Sequence, residues 1–388
     1  MRINKTLVAI ALALGATSSA YAANDLKVGM ILPMSGPFAD YGMQILNGAR
    51  LYIAEHGDKV GDRKINLIVK DDTGVAPEIS KRAAQELVVN EKADILAGFG
   101  LTPSSFAVAP LSAQAKVPMI IMNAATSVVT EKSPYIVRVS MTLPQNSAPM
   151  ATWALKNGIK KVYTVVADFG PGHDAEKQFT KTFTEGGGKI VGAVRTPVKS
   201  PDFAPFLQKV KDTRPDAVFL FVPAGEQGVA FLKGYKERGL DKDGIKLIST
   251  GDLTDEDVLN AMGDPAIGVV TSFHYSEDHK SPENKSYTQA YHKAHPNVRP
   301  NFMSVAGYDG MHLIYSVLKK TNGDATGDKF VAAAKGMSWE SPRGPITIDP
   351  KTRDIIQNVY IRKVEKVDGV LQNVEIDTIP NFRDPGKP

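Results

Sequence analysis

Short apolar runs alternate regularly with amphipathic stretches along this chain, in two consecutive sets, and this pattern constrains its fold more than any other feature. Residues 26–34 are nearly continuously apolar, as expected of a strand buried on both faces. Residues 41–55 then carry Ile45, Ala49 and Ile53 at helical spacing. The first set continues with strands at 64–69, 93–99 and 117–122 and helices at 77–89 and 104–115. A second set follows, with helices at 147–157, 172–185, 203–211 and 226–238 and strands at 161–167, 189–194, 217–222 and 245–250. Such alternation predicts parallel sheets with helices on both faces, and two sets predict two α/β domains of similar build.

A further strand at 269–275, helices at 282–295 and 302–320, and strands at 346–349 and 359–364 are too few for a third domain. They are expected to return and complete the first two. The expected division is a first lobe of 23–141 plus 275–345, a second of 142–274 plus 346–380, and a tail of 381–388. A pair of α/β lobes joined by several crossings is a hinge around a cleft.

The N-terminus sets the compartment. Arg2 and Lys5 precede an apolar run at 7–15, and small residues lead to Ala20-Tyr21-Ala22. This is the form of a secretory signal peptide, so residues 1–22 are expected to be removed and the mature chain exported to a periplasm. The run is too short for a comfortable membrane span, and no later segment has the ~18 apolar residues that one needs. The 388 residues contain no cysteine, which excludes disulfides, thiolate metal sites, a cysteine nucleophile and a lipoprotein anchor. Charge is balanced, with 46 basic and 42 acidic residues spread along the chain, and no nucleic-acid partner is expected.

Enzyme signatures are missing or degraded. There is no G-x-S-x-G elbow, no H-E-x-x-H and no phosphate loop. His292 and His295 could share a helix face, but Pro296 ends that helix and no further ligands stand nearby in sequence. The stretch Gly170-Pro171-Gly172-His173-Asp174-Ala175 fits a dinucleotide fingerprint, yet Pro171 removes a backbone N–H and the next strand ends in Arg195-Thr196-Pro197, without an acid. No catalytic residue, metal or cofactor is expected.

The loops that follow the strands share a different chemistry. Strand one leads into Ser35, Phe38 and Tyr41; strand three into Gly98-Phe99-Gly100-Leu101-Thr102-Pro103; strand four into Asn123-Ala124-Ala125-Thr126-Ser127. Ser35 suits a turn cap, Phe38 and Tyr41 offer aromatic walls, and Thr102 reads as a helix N-cap with Pro103 at the first helical position. Each loop alone reads as an ordinary cap or turn. Together, hydroxyls and free N–H groups at helix N-termini along one sheet edge suit a small carboxylate.

The pattern L-x-x-S-G-x-x-A-x-Y-G at 32–42, with N-A-A-T at 123–126, resembles the leucine/isoleucine/valine-binding family of ABC-transporter solute-binding proteins, over about 26–379. The resemblance implies two Rossmann-like lobes, three crossings near 140–144, 271–275 and 344–348, a monomer, and delivery of ligand to a membrane permease. It implies that Thr102, Ala124 and Thr126 receive the ligand carboxylate and that Tyr41 and Phe169 line the pocket. Asp252 is the counterpart, one residue out of register, of the acid that meets an α-ammonium. Phe169 stands where the amino-acid binders have tyrosine, a second tyrosine falls near Pro223, and the family's cysteine pair is absent. An apolar or branched-chain amino acid is the family default. An aromatic or other simple carboxylate without an ammonium is the alternative, and a sensory binding protein is the other functional class.

Overall fold

The computed structural model describes residues 25–199 and 201–387, so the expected signal peptide lies outside the described residues. Among these residues the strands form two sheets. The first contains β1 (Leu26–Leu32), β2 (Lys59–Val60), β3 (Arg63–Asp71), β4 (Ile95–Gly98), β5 (Met119–Ile121) and β6 (Ile136–Arg138), in the order β2-β3-β1-β4-β5-β6. Its pairs are parallel except the β2–β3 hairpin. The second contains β7 (Lys161–Ala167), β8 (Lys189–Thr196), β9 (Ala217–Phe221), β10 (Lys246–Thr250), β11 (Val270–Phe273), β12 (Ser338–Ser341), β13 (Gly344–Ile348), β14 (Ile355–Val367) and β15 (Val370–Phe382). Its order is β12-β13-β14-β11-β10-β9-β7-β8, with β15 along β14. Strands β7 to β11 are parallel to their neighbours in that group, and β14 closes the edge antiparallel to β11.

This is the two-lobe α/β architecture expected. β4, β5, β9 and β11 are buried along their whole length, as their apolar runs require. The chain leaves the first sheet after Arg138, and helix Leu143–Lys156 packs on the second. That helix starts four residues before the expected 147, because Thr142 and Gln145 form a capping box ahead of Pro144.

Helix Phe302–Lys320 returns to the first lobe and lies against helix Ala39–His56 at very short range. A Cβ on Gly48 would stand 1.8 Å from the Ser304 carbonyl oxygen, and one on Gly307 2.0 Å from that of Ile45. Paired glycines are what let the backbones approach so closely.

The third crossing is more diffuse than the expected 344–348. Hairpin β12–β13 hydrogen-bonds into the second sheet, yet it rests on the returning helix. There Asp309 accepts from Trp339 Nε1 and Ser341 Oγ and pairs with Arg343 at 3.0 Å. Residues 383–387 are not a free tail either: Arg383 pairs with Asp349, and Lys387 with Asp354. Among the described residues no helix is long and apolar enough to cross a membrane.

Candidate functional site

The loops at the C-terminal ends of the parallel strands in the two lobes face each other. Tyr41 follows β1, Thr102 follows β4, and Ala124 and Thr126 follow β5. From the second lobe come Phe169 after β7, Phe221 and Pro223 at the end of β9, and Asp252 after β10. Bonds cross between the lobes: Tyr41 Oη donates to the Ala224 carbonyl at 3.0 Å, and the Ser127 N–H to Asp174 Oδ2 at 2.8 Å. Gly170 lies so near the opposite loop that a Cβ on it would be 2.6 Å from Thr126 Oγ1. The lobes are therefore closed on one another, around a small cleft lined in part by Tyr41, Thr102, Ala124, Phe169, Phe221 and Asp252.

One end of the cleft is built for an anion. Helix Thr102–Ala115 from the first lobe and helix Gly170–Glu185 from the second begin here, and neither has a side-chain cap. Their first N–H groups and dipoles favour negative charge. Thr102 Oγ1 and Thr126 Oγ1 lie 2.9 Å apart, a hydroxyl pair able to donate into the cleft. The Thr126 loop is held from behind by Arg138, fully buried, whose Nη2 donates to the Thr126 carbonyl at 2.6 Å and whose Nη1 donates to that of Met141. An ion pair to Asp354 at 3.0 Å neutralises that guanidinium.

The walls are aromatic. Phe169 and Phe221 lie with ring planes 22° apart and centroids 6.1 Å apart, and Tyr41 faces them from the other lobe. Asp252, also in the lining, is 5% exposed, with Oδ2 accepting from Thr250 Oγ1 at 2.8 Å. Burial pushes its carboxyl up to about 6, against the opposing effect of the Thr250 bond and of nearby Arg362. Burial also raises the Tyr41 phenol well above its usual range, with the charges of Asp252 and Asp255 adding to it.

Several expectations are corrected. Ser35 is exposed, makes no side-chain cap and bonds Asp71, outside the cleft lining. Phe38 packs edge-on behind Tyr41, centroids 5.4 Å apart, and supports the wall without forming it. Thr102 is not the N-cap; Leu101 is, which leaves the Thr102 hydroxyl for Thr126. Thr126 adjoins the cleft through that bond. Tyr41, Thr102, Ala124, Phe169 and Asp252 do come together. Sequence reasoning did not single out Asn123, Met141, Leu143 or Phe221, which also line the cleft. Two of them carried a signal, Asn123 as the first residue of the N-A-A-T loop and Phe221 as an aromatic near the end of a buried strand.

His292 bonds Glu277 at 2.7 Å, and His295 is the cap residue that ends their helix. Among the described residues no group of three or more histidine or acidic side chains is placed to hold a metal. A larger, open hollow lies at the opposite ends of β10 and β11, against Lys246 and Val269. It sits away from the helix N-termini that make the interlobe cleft chemically distinct.

A family model for periplasmic binding proteins matches residues 25–369. The chain belongs to that family. This periplasmic binding protein is 47% identical over 382 residues to Leu/Ile/Val-binding protein homolog 6 of Brucella melitensis, covering 98% of each chain. It is 56% identical to a solute-binding protein of an ABC transporter from Rhodopseudomonas palustris BisB5, solved in complex with 3,4-dihydroxybenzoic acid. That similarity covers 94% of this chain and 99% of the other, with a TM-score of 0.91. A second R. palustris solute-binding protein, solved with 4-hydroxybenzoate, is 46% identical over the same shares, with a TM-score of 0.90. These relatives are binding proteins and not enzymes, in keeping with a cleft that assembles hydroxyls, N-termini and rings rather than a nucleophile and base.

Proposed function

We propose that this periplasmic binding protein captures an aromatic carboxylate between its lobes and delivers it to the permease of an ABC transporter. The observation that carries this reading is the pairing of an anion-binding end with flat aromatic walls. The two uncapped helix N-termini and the Thr102–Thr126 hydroxyls take the carboxylate, while Phe169, Phe221 and Tyr41 enclose a ring. Relatives at 56% and 46% identity bound to hydroxylated benzoates support it. The lobes open and close about the three crossings, and ligand contacts from both sides favour the closed form.

A branched-chain amino acid is the second reading. Asp252 in the cleft offers an acid for an α-ammonium, and the Brucella relative is named for leucine, isoleucine and valine. Calorimetry with benzoate, 4-hydroxybenzoate and leucine separates the two. Binding of the benzoates without leucine supports the proposal, and binding of leucine alone refutes it. Residues 1–22 direct export and are cleaved off after Ala22, and a periplasmic protein whose mass retains them would contradict that.

A further inference from the structure

We propose that residues 383–387 form a strap that reaches from the second lobe onto the first and holds the carboxylate-binding loop ready for ligand, with Asp384 as the positioning residue. This role rests on the proposed capture of a carboxylate by the Thr102–Thr126 hydroxyls. The loop needs such support. Residues 124–126 have no regular secondary structure, so their position depends on the side chains that grip them. Arg138 holds the Thr126 carbonyl from within the first lobe. Ser127, the next residue, is held twice: its N–H donates to Asp174 Oδ2 at 2.8 Å, and its Oγ donates to Asp384 Oδ2 at 2.5 Å. The second distance is that of a hydroxyl bonded to a charged carboxylate.

Strand β15 pairs with β14 in the second sheet as far as Phe382, whose carbonyl accepts from Gln145 Nε2. Beyond it the chain changes lobes. Arg383 pairs with Asp349 and Lys387 with Asp354, at the two ends of the turn between β13 and β14. That turn is fixed to the first lobe: Arg353 donates to the carbonyls of Ile136 and Thr130, and Asp354 pairs with Arg138. Lys387 also donates to Thr130 Oγ1, and its side chain is 4% exposed. The two bonds to Ser127 therefore differ in kind. Asp174 lies on a second-lobe helix, so its bond needs the lobes closed. Asp384 is anchored with the first lobe and stays on Ser127 when the lobes part. The strap keeps the loop in order in the open form, where an incoming carboxylate first meets it, and a loop already ordered costs less to fix on binding.

The test uses the full mature protein and its Asp384→Ala, Ser127→Ala and doubly substituted variants. Calorimetry with 4-hydroxybenzoate and with leucine reads affinity, and hydrogen exchange reads the amides of residues 124–129 without ligand. In each single variant affinity should fall about three- to tenfold, the range for ordering one side chain anew. Exchange in the loop should quicken while that of β1 is unchanged. The double variant should bind no more weakly than the worse single one, since both changes remove the same bond. Unchanged affinity in either single variant overturns the strap's role, as do additive losses in the double variant. Faster exchange throughout the first lobe also overturns it, because the strap would then serve stability alone. If the parent binds leucine in place of the benzoate, the aromatic reading fails, and the same series with leucine decides the strap. A parent that binds neither acid overturns the carboxylate reading and the strap's role with it.

Discussion

Gly170→Ala should separate lobe closure from lobe stability. Gly170 opens helix Gly170–Glu185 and has no positive φ, so within the second lobe an alanine meets no backbone strain. Alanine at a helical position is, if anything, favoured over glycine by up to about 1 kcal/mol. In the closed form, however, its Cβ would lie 2.6 Å from Thr126 Oγ1 across the cleft, with Thr102 Cγ2 at 3.6 Å. The first contact is impossible without movement, and the second is ordinary. Overpacking of this kind costs about 1–3 kcal/mol, and the cost falls only on the closed state. Affinity for 4-hydroxybenzoate should therefore drop about 5- to 150-fold, while the melting temperature of the ligand-free protein holds or rises. Isothermal calorimetry paired with differential scanning calorimetry reads both quantities. Unchanged affinity in Gly170→Ala would refute the reasoning. So would a loss of affinity matched by an equal loss of ligand-free stability.

Tyr41→Phe removes the interlobe bond to the Ala224 carbonyl and should weaken ligand binding by about 0.5–1.5 kcal/mol; calorimetry showing no change would mean the bond does not favour closure. Thr102→Val keeps the shape of the side chain but removes a hydroxyl that takes no part in capping, so affinity should fall by about 1.5–3 kcal/mol with little change in melting temperature. The reverse pattern, lower stability with intact affinity, would make the Thr102–Thr126 pair purely structural. Asp252 holds its proton more tightly folded than unfolded, its carboxyl rising from 3.8 to about 6. Its contribution to stability is therefore complete below about pH 3.8 and lost as pH rises through about 6. Asp252→Asn should accordingly be more stable than the parent at pH 7.5 by up to about 3 kcal/mol, with the gap closing toward pH 4; denaturant titrations at both values check the sign.

The alternation of apolar runs and helical stripes determined the α/β class, most of the strands and helices, and the existence of two lobes. It could do so because those patterns are local: a strand buried on both faces is apolar throughout, and a helix on a sheet shows its stripe every three to four residues. Strands without such a pattern were not legible. β2 and β6 are very short, β12 is largely exposed at the sheet edge, and β15 is an outer strand with much of its surface in solvent. Among the candidate site residues, Tyr41, Thr102 and the loop of Ala124 could be named because they follow strand ends, where ligands of such sheets bind, whereas Phe169 and Asp252 were named only through the family resemblance. Ser35 occupies an equivalent place in sequence and yet turns to Asp71 in solvent, because a polar residue in a tight turn has the same composition whether it faces a ligand or water. Tertiary structure alone decided that Met141 and Leu143, on the first crossing, reach the cleft, that Arg138 grips the Thr126 loop against Asp354, and that residues 383–387 are tied down. Arg138 and Asp354 are more than two hundred positions apart, and partners that distant leave no periodicity in the chain; they meet only because the tertiary structure brings the edges of the two sheets together.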